Sequence, residues 1–465
     1  MVGVVGAKNR CQKTGAVNDA VLTFLHYYRI FGIKIMCYAI PAKLMAINHN
    51  TGILDYFGEQ RRVLLDAADN YHIGDYVYAQ GGIVVSKVSA QEVHAILATW
   101  KDMFFALKAR DQVAVENIDL QALPANALAI LQKANHGHRL TKDEALALMQ
   151  LHTAEELAVL YEVANAVRHQ VHGNASCVHG IIEFSNYCKN SCHYCGIRSE
   201  RKLPRYRMTP EEIIAIAADA VKKYGFKALV LQSGEDDWYN DTKLDEIVRT
   251  IKKMGVLVFL SIGLRDAATY QKLYHAGARA ALLRFETANA ARFAYLRPHT
   301  TLAARLDLLR QLKAMGYIIA TGFILGFPEE AAQDVLDNIL LTRSLQPEMY
   351  SFGPLIPTRG TPLAGSVKKT RDEILRVIAI TRLLDRDANI LVTTALETLD
   401  AEAKRAALLA GANSMMINLT PPAYREQYAI YDNRACKLSA ADAIFEVRQL
   451  LFSLGRAPTD LSSAL

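Results

Sequence analysis

The sequence predicts an α/β chain, a closed (β/α)8 barrel preceded by a small β-barrel that ends in a helix. Three observations carry this expectation. From about residue 180, short β-rich runs alternate with amphipathic helical stretches, and that alternation implies a parallel sheet. The runs number eight, the count that closes a barrel with right-handed crossovers. The first hundred residues differ: short strands and turns precede a single helix starting at Ala90, the pattern of a small OB-like barrel.

The eight strands are expected at 181–185 (IIEFS), 228–232 (ALVLQ), 256–261 (VLVFLS), 281–285 (ALLRF), 318–325 (IIATGFIL), 349–353 (MYSFG), 390–394 (ILVTT) and 414–419 (SMMINL). Helical patterns fall between them, among them Thr209–Tyr224, Thr242–Met254 and Arg371–Asp387. A leading pair, Lys142–Leu151 and Ala154–His169, comes before the first strand. Several helices stop at a glycine just before a strand, at Gly255, Gly277, Gly316 and Gly411, where a left-handed residue ends the helix. Turn residues at 48–52 and 71–75 punctuate the small barrel. The expected divisions are therefore 36–108 for the small barrel, 109–130 for a linker and 131–465 for the large barrel. Residues 1–35 are an extension, too polar to span a membrane. Either translation begins at Met36, the favoured reading, or the extension is part of the protein.

Composition narrows the function classes. The 465 residues are 51% hydrophobic and 22% charged, ordinary globular usage with ample material for a core. A net charge of +6, scattered along the chain, gives no basic stripe for nucleic acid. No apolar run is long enough for a membrane span. Seven cysteines with three in one loop are not a secreted disulfide framework, so a reducing cytoplasm is expected.

Those three, Cys188, Cys192 and Cys195, stand in the run FSNYCKNSCHYCGIRSE directly after the first barrel strand. Iron–sulfur cubes normally take four cysteines, so a C-x3-C-x2-C loop leaves one iron open to a small molecule. A zinc knuckle or a disulfide staple are the plainer alternatives. Structural zinc needs a fourth Cys or His at short spacing, whereas His193 sits between two ligands and Cys177 lies outside the loop. Polar groups gather at other strand ends: Gln232–Glu235, Arg284–Glu286 and Thr393–Thr394. The C-terminal strand ends are where such barrels place their chemistry.

With aromatic Tyr194 before the last cysteine, this loop resembles the radical S-adenosylmethionine (SAM) family closely. The resemblance implies a TIM-type barrel, a 4Fe–4S cluster on Cys188, Cys192 and Cys195, and SAM bound to the open iron. Reductive cleavage of SAM then releases a 5′-deoxyadenosyl radical. Gly234 and Glu235 match the family's glycine-rich motif for the SAM amine. Glu286 is expected at the ribose or amine, with Arg284 and Arg305 at the carboxylate.

The strings IIEFSNYCKNSCHYCGIR, LQSGED, LLRFETAN, LRPHT, TTA and PPAYREQYAIY are similar, over about residues 130–460, to the HydE family of FeFe-hydrogenase maturases. Biotin synthase and methylornithine synthase are relatives of that family. The resemblance implies radical attack on an iron carbonyl–cyanide precursor of the hydrogenase di-iron site, with maturation proteins and an electron donor as partners. By position, Thr393, Thr394, Met416, Tyr424, Tyr428 and Tyr431 would line the substrate cavity. The family's HETANP string departs here to Phe285–Glu286–Thr287–Ala288–Asn289–Ala290. Of the further C-terminal cysteines some members carry, only Cys436 matches, so one cluster is expected. A methylornithine-synthase-like mutase and a non-catalytic scaffold for an iron unit remain as alternatives.

Residues 36–104 open with MCYAIP and resemble the HupF/HypC hydrogenase-maturation chaperones. In that family a cysteine beside the N-terminal amine carries the iron unit, which makes Cys37 a candidate iron ligand. An extension through Met36 removes the free amine, and the family's histidine falls here near Gln80.

Overall fold

The computed structural model describes residues 39–66, 69–113, 123–434 and 438–457. The extension 1–35, Met36, Cys37 and Cys436 lie outside the described residues.

Five strands form the first barrel: β1 (Ala42–Asn48), β2 (Thr51–Tyr56), β3 (Glu59–Leu64), β4 (Tyr76–Gln80) and β5 (Ile83–Val88). They close in the order β1-β2-β3-β5-β4. Alternation produces the strands: in β1, Ala42 and Leu44 face inward while Lys43 faces water, as one face of a pleated strand requires. The helix Ala90–Val113 follows, and its Trp100, Phe104 and Leu107 pack into the same core as Leu44, Leu54 and Val77. That helix reaches Val113 and the next one runs Ala125–Asn135, so parts of the expected linker 109–130 are helical.

Eight parallel strands form the second barrel. They are β6 (Cys177–Ser185), β7 (Ala228–Ser233), β8 (Leu257–Ser261), β9 (Ala280–Leu282) and β10 (Ile318–Thr321), then β12 (Met349–Tyr350), β14 (Asn389–Val392) and β15 (Ser414–Asn418), which pairs back to β6. Helices cover the outside. Thr209 caps Pro210–Tyr224 by accepting from the Glu212 amide while the Glu212 side chain accepts from the Thr209 amide, a reciprocal box that satisfies two orphan donors. Thr141, Thr153 and Thr370 do the same for their helices. At the other ends, Gly255, Gly277, Gly316 and Gly411 all have positive φ, as their helix-stop positions predict.

The fourth and seventh strands are shorter than expected, Ala280–Leu282 and Asn389–Val392, and two others are broken. The run 318–325 breaks after β10, and its end forms β11 (Ile324–Leu325). The run 349–353 breaks likewise after β12, giving β13 (Gly353–Pro354), and β11 and β13 pair only with each other. The break sits at Gly322, where a Cβ would lie 2.4 Å from the Ser351 carbonyl oxygen. The Gly322 carbonyl there accepts from the amides of Phe285 (2.9 Å) and Glu286 (3.2 Å) instead of continuing the ladder. The first strand also begins earlier than expected, at Cys177 rather than 181, which brings Cys177 and His179 into the barrel wall.

The small barrel closes the amino-terminal end of the large one. Ala39, Tyr78, Ile83 and Val85 pack with Cys177, Ala228, Leu257, Ala280, Ile318 and Met349, residues at or near the start of their strands. The Lys227 ammonium sits 4.2 Å above the Tyr78 ring at that seam. The opposite, carboxyl-terminal end stays open for chemistry. No helix among the described residues is long and apolar enough to cross a membrane.

Candidate functional site

Strand β6 ends at Ser185, and the first of the three loop cysteines follows three residues later. Its backbone is held from several directions. Asn186 donates through Nδ2 to the carbonyls of Pro204 (2.9 Å) and Gln427 (2.8 Å). Arg205 donates to the carbonyls of Ile197 (2.8 Å) and Arg198 (2.7 Å). The Ser185 hydroxyl donates to Asp236 (2.7 Å), itself paired with Arg207 (2.8 Å). Gly234 lies against this loop so tightly that a Cβ would meet the Tyr187 carbonyl oxygen at 2.1 Å. Only glycine permits such an approach. The next amide, that of Glu235, donates to Cys188 Sγ at 3.4 Å.

Cys192 is buried, and Cys188 and Cys195 are half-buried. Burial pushes the Cys192 thiol up, and burial with the neighbouring thiols pushes Cys195 to about 12. Metal ligation takes the thiolates and so releases protons. His193 is turned away from the loop, its ring edge-on to Tyr295 at 4.7 Å.

Beside the cysteines stands a closed set of charges. Arg297 donates from Nη2 to Glu235 Oε1 at 2.9 Å and from Nη1 to the Tyr194 hydroxyl at 3.1 Å. Tyr194 in turn donates to Glu286 Oε1 at 3.0 Å. Arg284 Nε approaches Glu286 Oε2 at 3.4 Å, and Arg305 Nη1 approaches Glu235 Oε1 at 3.8 Å. Arg305 also donates from Nε to the Arg284 carbonyl. Burial opposes charge on Arg297, but Tyr194, Cys192 and the two glutamates outweigh it and raise its pKa. Glu286 adopts φ of 68°, a left-handed conformation costing a non-glycine residue roughly 1–2 kcal/mol.

The sequence identified Tyr194, Gly234, Glu235, Arg284, Glu286 and Arg305, and the structure brings all six to one place with the cysteines. It adds Arg297, at the end of the helix Ala290–Leu296. The string LRPHT contains that arginine, but nothing in the string shows which way its side chain turns.

The donor set fits SAM. Glu286 Oε2, Arg305 Nη1 and Arg297 Nε are buried without a hydrogen bond. An ammonium and a carboxylate, the two ends of an amino acid, are the partners such groups lack. Glu235 and Glu286 would hold the ammonium, and Arg297, Arg305 and Arg284 the carboxylate.

A cavity of about 270 Å³ runs from these residues into the barrel as far as Ile181 and Met416. Thr393, Thr394, Tyr428, Tyr431 and Arg434 line it as well. Thr394 and Tyr431 share a hydrogen bond of 2.7 Å, and the Thr393 hydroxyl is buried without a partner. Arg434 pairs with Glu183 (2.8 Å to Oε2), a carboxylate with no exposure. Sequence reasoning missed this pair, because Glu183 stands in the string IIEFSNYC without any sign of its partner, and Arg434 lies beyond the last quoted string. Tyr424 departs from expectation. Its ring packs tilted against Tyr206, centroids 4.8 Å apart, and its hydroxyl donates to Glu212 at 2.8 Å on the outer face, since the helical turn Pro422–Arg425 points it away from the barrel mouth. Cys37 lies outside the described residues.

Comparison with known proteins gives the family. Residues 182–341 match the radical SAM superfamily, residues 351–458 the biotin and thiamin synthesis associated domain, and residues 36–100 the HupF/HypC family. The FeFe-hydrogenase maturase subunit HydE of Thermotoga maritima is 40% identical over 301 residues, covering 64% of this chain and 86% of that protein. The 3-methylornithine synthase of Methanosarcina barkeri is 32% identical over 306 residues, covering 64% and 85%. The crystal structure of methylornithine synthase superposes with a TM-score of 0.65 at 29% identity, covering 71% of this chain and 97% of that one. The maturase HydG of Carboxydothermus hydrogenoformans shares the fold, with a TM-score of 0.62 at 19% identity over 77% and 84%. The chain therefore belongs to the radical SAM enzymes related to HydE and methylornithine synthase, whose cofactors are a 4Fe–4S cluster and SAM, and it carries a HupF/HypC-family domain ahead of the barrel.

Proposed function

We propose that this enzyme acts in hydrogenase maturation, turning the radical it makes on an iron carbonyl–cyanide precursor of the FeFe-hydrogenase di-iron site. The observation that carries this reading is the single cavity joining the cofactor residues to Thr393, Thr394, Met416, Tyr428 and Tyr431. Two domains related to hydrogenase-maturation proteins in one chain support it from another side. The cluster and SAM, when bound, supply a 5′-deoxyadenosyl radical by reductive C–S cleavage. The chain's own residues do the rest. Cys188, Cys192 and Cys195 hold the cluster, while Glu235, Glu286, Arg284, Arg297 and Arg305 orient SAM. Thr393 offers an unpaired hydroxyl to the substrate. The partners on this reading are hydrogenase-maturation proteins and an electron donor, in a reducing cytoplasm.

The test is anaerobic reconstitution, reduction and addition of SAM, followed by transfer to a hydrogenase lacking its di-iron site. 5′-Deoxyadenosine together with restored hydrogenase activity supports the proposal. The relation to methylornithine synthase favours a second reading, an amino-acid mutase, and a rearranged amino acid with no effect on hydrogenase would establish that one instead. Absence of 5′-deoxyadenosine above a cluster-free control would leave a scaffold for an iron unit.

A further inference from the structure

We propose that Cys177, His179 and Gln80 form a second metal site at the amino-terminal end of the large barrel, where one thiolate and one imidazole hold a divalent iron.

Cys177 and His179 are two apart on β6, so both side chains project to the same face of the strand, toward the barrel interior. They are 2% and 1% exposed. Cys177 Sγ lies 3.2 Å from His179 Nε2. A thiolate and an imidazole on one tetrahedral metal lie on the order of 3.6 Å apart, given metal–sulfur and metal–nitrogen distances of about 2.3 and 2.1 Å. The pair therefore needs to open by only a few tenths of an ångström. The third residue comes from the other domain. Gln80, at the end of β4 and with no exposure, donates from Nε2 to Cys177 Sγ at 3.5 Å. Its Oε1 is buried with no hydrogen bond, which is the second mark of an unfilled site.

Thiolate and imidazole together suit iron, zinc, nickel and copper. Among the described residues no third His, Cys, Asp or Glu joins them to complete a metal-binding group, whereas structural zinc takes four protein donors. The choice of iron rests on the maturation reading above; the binding of a metal does not. On binding, the Cys177 thiol gives its proton to solvent, with no change of oxidation state.

The position also has a use. Met416, at the inner end of the cavity, is the register partner of His179 on β15. From Cys177 to Ser185, where the cluster loop begins, is roughly 26 Å along the strand at about 3.3 Å per residue. The site thus lies at the seam with the small barrel, at the far end of the interior from the cluster.

The experiment adds ⁵⁷Fe(II) anaerobically to full-length protein whose cluster was built from ordinary iron, so that Mössbauer spectra report the added ion alone. Co(II) titration in parallel reads thiolate ligation by its charge-transfer band. We expect one ferrous ion per chain as a mononuclear species, at least about tenfold weaker in Cys177→Ser and in His179→Gln. The Co(II) band should vanish in Cys177→Ser, with cluster content and 5′-deoxyadenosine formation unchanged in both variants. Should Cys177→Ser fail to fold, His179→Gln and Gln80→Leu decide. No ferrous ion beyond the cluster, or binding that survives these substitutions as adventitious iron, overturns the proposal. 5′-Deoxyadenosine without this iron binding removes only the second site, and iron binding without 5′-deoxyadenosine removes only the proposed function.

Discussion

Arg297 Nη2 lies 2.9 Å from Glu235 Oε1, and the two side chains are buried at 7% and 9% exposure. Replacing the guanidinium strands a carboxylate whose next cation, Arg305, is 3.8 Å away. Breaking a buried pair from one side costs about 3–5 kcal/mol. That cost falls on the fold; on SAM, Arg297→Gln removes one charged hydrogen bond to the carboxylate, about 1.5–3 kcal/mol, and should weaken binding to the reconstituted enzyme by about tenfold to a hundredfold, which calorimetric titration measures. An unchanged dissociation constant would remove Arg297 from the cofactor site.

Gly234 packs on the backbone that carries Cys188, and an added Cβ would come within 2.8 Å of Cys188 Cβ as well as 2.1 Å of the Tyr187 oxygen. The obstacle is main chain, which cannot rotate aside. Gly234→Ala should cost about 1–3 kcal/mol as an overpacked contact and shift the loop. The readout is iron per chain after reconstitution, expected to fall well below that of the parent. Full iron content with normal SAM cleavage would show that the loop yields more easily than its packing implies.

Glu330 gives a pH dependence of definite sign. Burial raises its carboxyl from 4.5 to about 7, against the Gly326 amide that donates to it at 2.6 Å. Above 4.5 the unfolded chain has released this proton while the folded chain still holds it, so stability falls as pH rises toward 7 and the full penalty applies beyond. Glu330→Gln keeps an acceptor for Gly326 and removes the ionisation. Urea unfolding should show the variant gaining on the parent by about 2–3 kcal/mol between about pH 5 and about pH 8. A gap that is constant across this range would count against the raised carboxyl.

Much of this architecture can be read from the chain because its signals are local. The alternation of Ala42, Lys43 and Leu44, the Thr209–Glu212 box and the helix-stopping Gly277 each act within a few residues. The cysteine loop is legible for the same reason. What escapes is set by distant neighbours. The strand breaks at Gly322 where the distant Ser351 backbone comes close enough to exclude a Cβ. Arg297 reaches Glu235, 62 positions earlier, and no pattern in LRPHT gives its direction. Tyr424 was placed by its string in the cavity, but side-chain direction follows from the turn geometry at Pro422. The meeting of Gln80 with Cys177 spans 97 positions and two domains, beyond any local rule.

The join between the two domains makes the last prediction. Asp111, on the helix that follows the small barrel, accepts from Arg168 (2.7 and 2.9 Å) and from Arg456 (3.0 Å), and its Oδ2 lies 2.7 Å from His169 Nδ1. All three of Asp111, Arg168 and Arg456 are essentially without exposure. Burial alone would raise this carboxyl, but Arg456, His169 and Arg168 outweigh it and hold it well below the usual carboxylate range. A depressed carboxyl adds stability that is present above its unfolded value of 3.8 and is lost as pH falls below it. Asp111→Asn leaves two buried guanidinium groups without their counter-charge, at a cost of about 3–5 kcal/mol near neutral pH. Trp100 reports the place where this loss shows, since it packs edge-on to Phe452 of the large barrel's last helix at 6.5 Å. With Trp238 changed to Phe, so that Trp100 is the one remaining tryptophan of two, its fluorescence should change at lower urea than the far-UV circular dichroism in Asp111→Asn. In the parent the two transitions should coincide. Coincident and unshifted transitions in the variant would mean that apolar packing alone holds the small barrel against the large one.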